Sequence, residues 1–278
     1  MTTKVGFIGL GTIGKPMAMN VVKAGFDLMV YDLREDPLKE LAGLGAKIAH
    51  SAGEVGKHGE ILELAVVDDA QVEAVVLGER GVLGSAAPGS IIAIHSTVLP
   101  KTARNIAELA GARGVGVLDA QVSGGERGAL DRTLCYMVGG DKELLKKCRP
   151  VFATSGANIF HMGDIGMGAT TKIIQQIIVC FNMLAMSEGM LLGERTGLDF
   201  KALQEVIHAS AGQSYVADNW FERFKLVAAP MPIRRQRMEV FYKSLCPALE
   251  LAHDLGISLP GVALTQQLLA RTLGIDEK

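Results

Sequence analysis

One lysine and two glutamines stand inside an otherwise apolar stretch of the chain. The stretch is residues 165–197, IGMGATTKIIQQIIVCFNMLAMSEGMLLGERTG, in which Gln175 and Gln176 follow Lys172 by three and four residues. In a helix these positions share one face. Polar groups in an apolar setting cost free energy unless they have a partner. A bound substrate could be that partner.

The same stretch predicts one long helix. After Gly168 it has no proline, and only Gly189 weakens it. Because it is apolar on almost every side, we expect burial on most of its surface. A membrane span over residues 173–192 is the alternative on length. Five polar residues disfavour a span, because each would cost free energy in lipid: Gln175, Gln176, Asn182, Ser187 and Glu188.

A second candidate site is the pattern G-x-G-x-x-G at residues 9–14. Alone it is weak, and an ordinary glycine-rich turn is the alternative. Here it follows an apolar, strand-like run at residues 4–8 and precedes a helical run at 15–24. Asp32 then ends a second strand-like run, 27–31, at the spacing expected of a dinucleotide-binding turn. The context therefore predicts a nucleotide cofactor.

Each glycine of this pattern has a physical role in such a turn. Gly9 allows the tight turn, Gly11 lets a pyrophosphate approach the backbone, and Gly14 lets helix and strand pack closely. The helix N-terminus offers free N–H groups and a positive dipole end to the phosphates. The predicted cofactor loop comprises Gly9, Leu10, Gly11, Thr12, Ile13 and Gly14.

Strand-like and helix-like runs alternate as far as residue 162, which predicts an α/β fold with a doubly wound, mainly parallel sheet of the Rossmann type. Ligands of such sheets lie beyond the carboxyl ends of the strands. Segments 66–68, 95–97 and 119–125 should therefore approach one crevice. We expect His95 to be structural and Asp119 to be a turn and hydrogen-bonding residue.

After Gly166 only helical runs follow, at residues 166–196, 200–209, 215–225, 233–255 and 260–273. We predict a nucleotide-binding domain over residues 1–163 and an all-helical domain over residues 164–278, entered through the long interdomain helix. A glycine-rich passage at 161–168 is typical of a hinge. Lys172 lies just past it and can face the cleft between the domains.

Composition excludes some classes of function. The 278 residues are 49% hydrophobic, with a net charge of −2, which leaves no electrostatic footprint for nucleic acid or an anionic membrane. The four cysteines form no C-x-x-C pair and have no histidine at metal spacing. We expect no metal site, free thiols, and a cytoplasmic soluble protein without a signal peptide.

Several segments together resemble the β-hydroxyacid dehydrogenase family, which includes 3-hydroxyisobutyrate dehydrogenase, tartronate semialdehyde reductase and the 6-phosphogluconate dehydrogenases. The resemblance covers nearly the whole chain. It rests on five segments: GFIGLGTIGKPMAMNVVKAGF, DAQVSGGERGALDRTLCYMVGG, GMGATTKIIQQ, SEGMLLGERTGLD and YKSLCPALELAHDLGISLP.

The resemblance implies a nicotinamide-dependent dehydrogenase or reductase that acts on a small β-hydroxy acid or the corresponding semialdehyde. Lys172 falls on the family's catalytic lysine, the general acid and base. Ser123, Gly124 and Gly125 would hold the substrate carboxylate, and a glycine turn after a strand can form such an anion nest. Gln176 would donate to the substrate. The resemblance also implies a homodimer or homotetramer.

The remaining predicted cofactor contacts lie in four places along the chain. Asp32 should accept hydrogen bonds from the adenosine ribose and repel a 2′-phosphate, which favours NAD over NADP. Nearby Arg34 softens that repulsion. Thr97 should touch the nicotinamide side. The predicted set is completed by Leu33, by Val66 and Val67 through their backbone, and by Lys243.

The chain departs from the family pattern at several positions. Gln176 stands where Asn is usual, Gln121 and Val67 where Pro is usual, Ile13 where Met is usual, and Ser244 where Asp is usual. Gln is one methylene longer than Asn, so the departure at Gln176 affects the size of the acid that the site would accept.

A basic run is also outside the pattern. It comprises Arg234, Arg235 and Arg237. It is either a solvated face, which we favour, or an anion contact in the cleft.

Two other functions remain open at this point. One is a non-catalytic sensor or regulator that binds NAD(P) on the same fold, which the changed amides leave open. The other is an imine reductase-like enzyme, although such enzymes generally lack the lysine.

Overall fold

The computed structural model describes residues 2–224 and 231–272. The chain divides into two compact units, Met1–Lys172 and Ile173–Lys278. The predicted boundary between residues 163 and 164 remains a proposal. The predicted helix ends at residues 225 and 273, and the side chains of the basic run at 234–237, lie outside what is described.

The first unit is built on one sheet, whose described strands are β1 (Lys4–Ile8), β2 (Asp27–Tyr31), β3 (Lys47–Ile48), β4 (Ile61–Leu64), β5 (Ile91–Ile94), β6 (Gly116–Ser123), β7 (Leu134–Gly139) and β8 (Gly156–Gly163). Their order is β3-β2-β1-β4-β5-β6-β7-β8. Every neighbouring pair is parallel except β6 and β7. The doubly wound, mainly parallel sheet is therefore confirmed.

Helices cover both faces of this sheet, which is why its central strands are continuous apolar runs. The helices are α1 (Gly14–Lys23), α2 (Glu35–Gly43), α3 (Ala52–His58), α4 (Asp69–Leu77), α5 (Pro100–Gly111), α6 (Gly125–Leu130) and α7 (Lys142–Phe152), with a short helical turn at Val82–Gly84. Two buried apolar clusters, one on each face, form the core.

The long predicted helix is α8 (Met167–Thr196), which starts in the first unit and continues into the second. The second unit adds α9 (Phe200–His208), α10 (Tyr215–Asp218), α11 (Met231–Asp254) and α12 (Pro260–Thr272). The predicted helix over 215–225 is instead α10 followed by a π-helical turn, Trp220–Phe224. Side chains such as Met183, Trp220 and Leu245 form the core of this unit.

The prediction that α8 is buried on most of its surface is wrong for the single chain. Ile174 is 52% exposed, Ile178 55% and Leu192 67%. These positions share one side of the helix, so an apolar stripe remains uncovered. By length and composition α8 is also the one described helix that could cross a membrane. One such helix is weak support for a span, and it does not indicate a membrane protein.

Candidate active site

The glycine loop after β1 has the geometry that its pattern predicts. Gly9 has φ +92°, a conformation that favours glycine. A Cβ atom at Gly14 would overlap the carbonyl oxygen of Gly9, so α1 packs directly on the loop. A Cβ atom at Gly11 would meet nothing within 4 Å. The loop is thus closed by packing at Gly9 and Gly14 and open at Gly11.

Helix α1 begins at this loop without a local side-chain cap. Its N-cap residue is Ile13, which makes no capping hydrogen bond, and no acidic residue lies in the first turn. The first N–H groups of a helix have no partner inside the helix. This N-terminus is therefore suited to an anion such as a phosphate.

A cavity of about 760 Å³ opens beside the loop. Eight of its lining residues were predicted from the sequence: Gly9, Gly11, Thr12, Asp32, Leu33, Arg34, Val66 and Val67. Sequence reasoning missed others, among them His50, Ser51, Gln71, Glu79 and Arg80. No local pattern marks those five, because the start of α3, helix α4 and the turn after it bring them to the cavity.

Other predicted cofactor residues occupy different places. Leu10 is buried beneath the loop and uses its backbone to hold Asp32 and Arg34. Ile13 packs against the core, and Thr97 is half-buried after β5. Lys243 is exposed on α11 in the second unit.

Asp32 lies at the end of β2 with its carboxylate fully engaged. Its Oδ2 atom accepts the Leu10 N–H at 2.6 Å, and its Oδ1 atom accepts the Arg34 N–H at 2.8 Å. The Arg34 side chain adds Nε–Oδ1 at 3.0 Å and Nη2–Oδ2 at 3.1 Å. Burial acts to raise the pKa of Asp32, but the hydrogen bonds from Arg34 and Leu10 outweigh it and lower the pKa. The carboxylate is therefore held ionised at the rim of the cavity.

The turns after β4 and β5 are tied to each other. The Val66 N–H donates to Ser96 Oγ at 2.8 Å. The Val67 side chain is 77% exposed, and its N–H donates to Gln71 Oε1 at 3.1 Å. The two valine N–H groups are thus already bonded within the protein. Any backbone contact with a cofactor would use the carbonyl oxygens.

His95 is structural, as expected. Its Nδ1 atom lies 2.7 Å from the Ala120 carbonyl oxygen, and its Nε2 atom lies 3.3 Å from Glu63 Oε1. The ring packs against three aromatic rings, including the edge contacts with Tyr136 and Phe152. The side chains of His95 and Glu63 are both almost completely buried.

The predicted carboxylate nest lies at the end of β6. Ser123 is the last residue of the strand and is half-buried. Gly124 has φ +134° and Gly125 has φ +64°, and both are exposed. Helix α6 starts at Gly125, directly after this end of the strand. Across the antiparallel ladder, Ser123 is paired with Cys135 of β7.

Lys172 is 8% exposed, one turn into α8. Burial raises the pKa of the Cys135 thiol, and the positive charge of Lys172 acts on it in the opposite direction. Because paired residues of antiparallel strands point to the same side of the sheet, Ser123 and Cys135 are on one side. The side chain of Asp119, on the same face of β6 as Ser123, accepts the Gly166 and Ala169 N–H groups, so the start of α8 is on this side too. Cys135 was not predicted as a site residue.

Asp119 is not a turn residue. It lies within β6, is completely buried, and is paired with Ile94 of the neighbouring strand. Its carboxylate accepts N–H groups from Gly166 and Ala169 at the start of α8. These bonds connect residues 47 and 50 positions apart, so no local pattern could have predicted them.

The departures from the family pattern are accommodated separately. Gln121 is completely buried in β6, and its Nε2 donates to the Ile94 carbonyl oxygen at 3.0 Å. Gln176 is half-buried in the second unit, and its Nε2 donates to Ser244 Oγ at 3.2 Å. Two of the changed positions therefore contact each other. No group of three metal-ligating side chains exists among the described residues.

Comparison with known proteins assigns both parts of the chain. Residues 4–163 match the family described as the NAD binding domain of 6-phosphogluconate dehydrogenase. Residues 166–276 match the family described as NAD-binding of NADP-dependent 3-hydroxyisobutyrate dehydrogenase. The two matches follow each other along nearly the whole chain.

Individual relatives agree with this assignment. The 2-(hydroxymethyl)glutarate dehydrogenase of Eubacterium barkeri is 33% identical over 99% of this chain and 91% of that enzyme. The NAD-dependent L-serine dehydrogenase of Pseudomonas aeruginosa is 39% identical over 77% of this chain and 72% of that enzyme.

A solved structure has the same fold. The Mycobacterium tuberculosis 3-hydroxyisobutyrate dehydrogenase, solved with L-serine, superposes with a TM-score of 0.84 at 26% identity. The superposition covers 99% of this chain and 95% of that one. Because these relatives are named as enzymes that act on hydroxy acids, neither a non-catalytic sensor nor an imine reductase is favoured. The chain belongs to the β-hydroxyacid dehydrogenase family of NAD(P)-dependent oxidoreductases.

Proposed function

We propose that this enzyme interconverts a small β-hydroxy acid and the corresponding semialdehyde. The relatives named above act on 2-(hydroxymethyl)glutarate and L-serine or are named for 3-hydroxyisobutyrate. All three acids have a hydroxymethyl group on the carbon that bears a carboxylate. The proposed substrate class is therefore a primary alcohol β to a carboxylate.

The observation that carries this proposal is the location of Lys172. Lys172 is buried near the start of α8, which is hydrogen-bonded to Asp119, four residues before Ser123 on β6. The serine hydroxyl and the exposed glycine backbone can hold a carboxylate. In the proposed complex the lysine Nζ serves the oxygen two carbons away from that carboxylate.

Lys172 is the proposed general acid and base. In the oxidation direction its neutral amine accepts the hydroxyl proton, and in reduction its ammonium returns a proton to the carbonyl oxygen. Burial disfavours the charged form of a lysine, which helps the neutral amine to form. Ser123, Gly124 and Gly125 orient the acid through its carboxylate.

The glycine-loop cavity fits a nicotinamide dinucleotide. Gly11 faces open space, the N-terminus of α1 has no local side-chain cap, and Asp32 offers an ionised carboxylate at the rim. When bound, the nicotinamide accepts or supplies the hydride. We propose NAD over NADP, since ribose hydroxyls can replace the Arg34 side chain as donors to Asp32, whereas a 2′-phosphate would meet the charge of its carboxylate. Lys243 remains a proposed cofactor contact.

Gln176 is the proposed substrate donor on α8. Its Nε2 group has two N–H bonds, and the hydrogen bond to Ser244 uses one of them. Ser244 can thus orient the amide, and the second N–H is the proposed donor to the substrate. The longer side chain would suit a smaller acid than Asn does.

We also propose a homodimer or homotetramer in the cytoplasm. The exposed apolar stripe of α8 favours association with a second copy. The four cysteines are free thiols, which suits a reducing compartment. Sedimentation velocity should show a single species larger than a monomer, and a monomer at micromolar concentration would contradict the assembly.

The function is tested with a panel of 2-(hydroxymethyl)glutarate, L-serine and 3-hydroxyisobutyrate, followed by absorbance of the reduced cofactor. Lys172→Ala should lower kcat by about 10²- to 10⁴-fold, the usual size of general acid–base catalysis. The matched control is Lys147→Ala, an exposed lysine of α7, which should leave kcat unchanged.

Cofactor affinity separates the possible failures. NAD should bind to Lys172→Ala about as tightly as to the wild type, because the cavity does not include Lys172. A variant that keeps a tenth or more of wild-type kcat would mean that another group moves the proton. A wild-type protein that binds NAD but turns over no member of the panel would support the sensor.

A further inference from the structure

The carboxylate of Asp119 joins the middle of β6 to the first turn of α8. Oδ1 accepts the Gly166 N–H at 2.9 Å, and Oδ2 accepts the Ala169 N–H at 2.7 Å. Both oxygens are used, and the side chain has no exposed surface. The first N–H groups of a helix need partners from outside it. Here a distant strand supplies them.

Backbone packing keeps this junction tight. A Cβ atom at Gly168 would overlap the Asp119 and Met137 carbonyl oxygens. A Cβ atom at Gly139 would overlap Asp119 Oδ1 and lie 2.8 Å from the Gly168 nitrogen. The start of α8 thus rests directly on β6 and β7, with no side chain between them. A small change at Asp119 would be transmitted to the helix.

Two groups with proposed chemical roles are anchored at this junction. Ser123 lies four residues beyond Asp119 on the same strand, and alternate residues of a strand face the same side. Lys172 lies three residues beyond Ala169, about one helical turn. Ser123 and Lys172 are therefore connected through strand β6, the two hydrogen bonds of Asp119 and about one turn of α8.

The aspartate cap of α7 is local by comparison. Asp141 caps α7 through Glu143 and Leu144, immediately beside it in sequence, and it is exposed. Asp119 is buried, and burial raises the pKa of its carboxyl even though the N–H bonds act to lower it. A local, exposed side chain such as Asp141 would be enough to cap α8. A buried carboxylate on β6 also fixes where the helix starts relative to that strand.

We propose that Asp119 is a positioning residue, which sets the location of Lys172 relative to Ser123 by clamping the N-terminus of α8 to β6. The inference rests on the acid–base role proposed for Lys172. Asp119 touches neither substrate nor cofactor. It acts only through the helix that carries the lysine.

The test is Asp119→Asn in the full-length enzyme, measured in single-turnover hydride transfer with NAD and the most active acid of the panel. Asn can accept one N–H bond but presents an amide N–H to the other, so the first turn of α8 shifts. The rate constant should fall by about ten- to a hundredfold, since a displacement of about 1 Å can have this effect. A smaller folded fraction would lower the amplitude and leave the rate constant unchanged.

Asp141→Asn is the matched control, because it weakens an aspartate cap of α7 in the same unit. Its rate constant should equal that of the wild type. The NAD dissociation constant should be unchanged in both variants. If Asp119→Asn does not fold, Asp119→Glu takes its place, since it keeps the charge and both acceptors but adds one methylene. Failure of both to fold would assign Asp119 to folding alone and overturn the proposal.

A double-mutant cycle shows whether the effect passes through the lysine. Adding Asp119→Asn to Lys172→Ala should cause no further loss, because there is no longer an amine to misplace. Additive losses, or a rate constant within twofold of wild type for Asp119→Asn alone, would overturn the positioning role. An active Lys172→Ala variant would instead refute the acid–base role of Lys172, and the single mutant alone reveals it.

Discussion

The guanidinium group of Arg34 forms a bidentate ion pair with the carboxylate of Asp32, through Nε–Oδ1 at 3.0 Å and Nη2–Oδ2 at 3.1 Å, and Nη2 also donates to the Leu10 carbonyl oxygen. The ion pair keeps the carboxylate ionised and oriented. It also occupies Arg34, the cation that would otherwise bind a 2′-phosphate.

Cofactor preference should follow from this pair. We expect a higher kcat/KM with NAD than with NADP, because a phosphate would meet the Asp32 charge and would have to draw Arg34 away. Arg34→Ala should widen the preference for NAD, and Asp32→Asn should narrow it. Initial rates with both cofactors check this, and a preference for NADP of more than tenfold in the wild type would refute it.

Gly11 and Gly14 should respond differently to the same added methyl group. Gly11→Ala fills open space on the loop, so it should raise the KM for NAD about tenfold or more without changing the melting temperature. Gly14→Ala meets the Gly9 carbonyl oxygen and should also destabilise the fold. Thermal unfolding without cofactor separates the two. Equal losses of stability would contradict the open site at Gly11.

The buried pair of Glu63 and His95 should matter for stability. Glu63→Ala leaves the His95 Nε2 atom buried without its partner, and we expect a loss of about 3–5 kcal/mol in the free energy of unfolding. Glu63→Gln should cost much less, because the amide can donate to Nε2 while Nδ1–H still donates to Ala120. Urea unfolding measures both. Glu60→Ala, at an exposed neighbouring glutamate, is the control and should be close to neutral.

Asp32 and Asp119 should give stability opposite dependences on pH. The pKa of Asp32 is lowered, so its contribution is present above the ordinary pKa of about 3.9 and is lost as pH falls through the lowered value. The pKa of Asp119 is raised, so its contribution is present below about 3.9 and is lost as pH rises through the raised value. From acid to neutral pH, the free energy of unfolding of the wild type should therefore rise relative to that of Asp32→Asn. Over the same range it should fall relative to that of Asp119→Asn. Unfolding free energies across that range check it, and equal slopes would contradict it.

Gln176 should matter for substrate use more than other half-buried glutamines do. Gln176→Ala should raise KM or lower kcat by about ten- to a hundredfold, since hydrogen bonds to charged groups are worth about 1.5–3 kcal/mol. Gln176→Asn should keep part of the activity and shift preference toward bulkier acids. The control is Gln204→Ala, which removes a hydrogen bond to the Ala217 carbonyl oxygen. If Gln176→Ala stays within twofold in both parameters, Gln176 is only a packing residue.

Strong local patterns made much of the fold predictable. The apolar runs of β1 and β2 are bounded by glycine or charged residues, and the predicted limits are those observed. In contrast, α3 (AGEVGKH) has two glycines and no apolar period. It is held by its Ser51 cap and by packing of Gly56 on Val82. The packing on Val82, unlike the cap, leaves no trace in a single sequence.

The candidate site was predictable where it depends on a turn and not where it depends on distant pairing. The open loop at Gly11 and the positive φ at Gly124 follow from glycine itself. The antiparallel direction of β7, which places Cys135 beside Ser123, could not be inferred from strand propensity. The buried Asp119 was taken for a turn residue because its partners lie far along the chain.

The lining of the glycine-loop cavity ends at Arg80, and the strand, helix start and lysine proposed to serve the acid begin only at β6. Most of the proposed cofactor contacts and the proposed acid contacts can therefore change independently in evolution. Substitutions in α6 or around Cys135 would change which acid is accepted while the glycine-loop cavity continues to bind the same dinucleotide. Related enzymes could thus come to accept different acids while they keep the same nicotinamide cofactor.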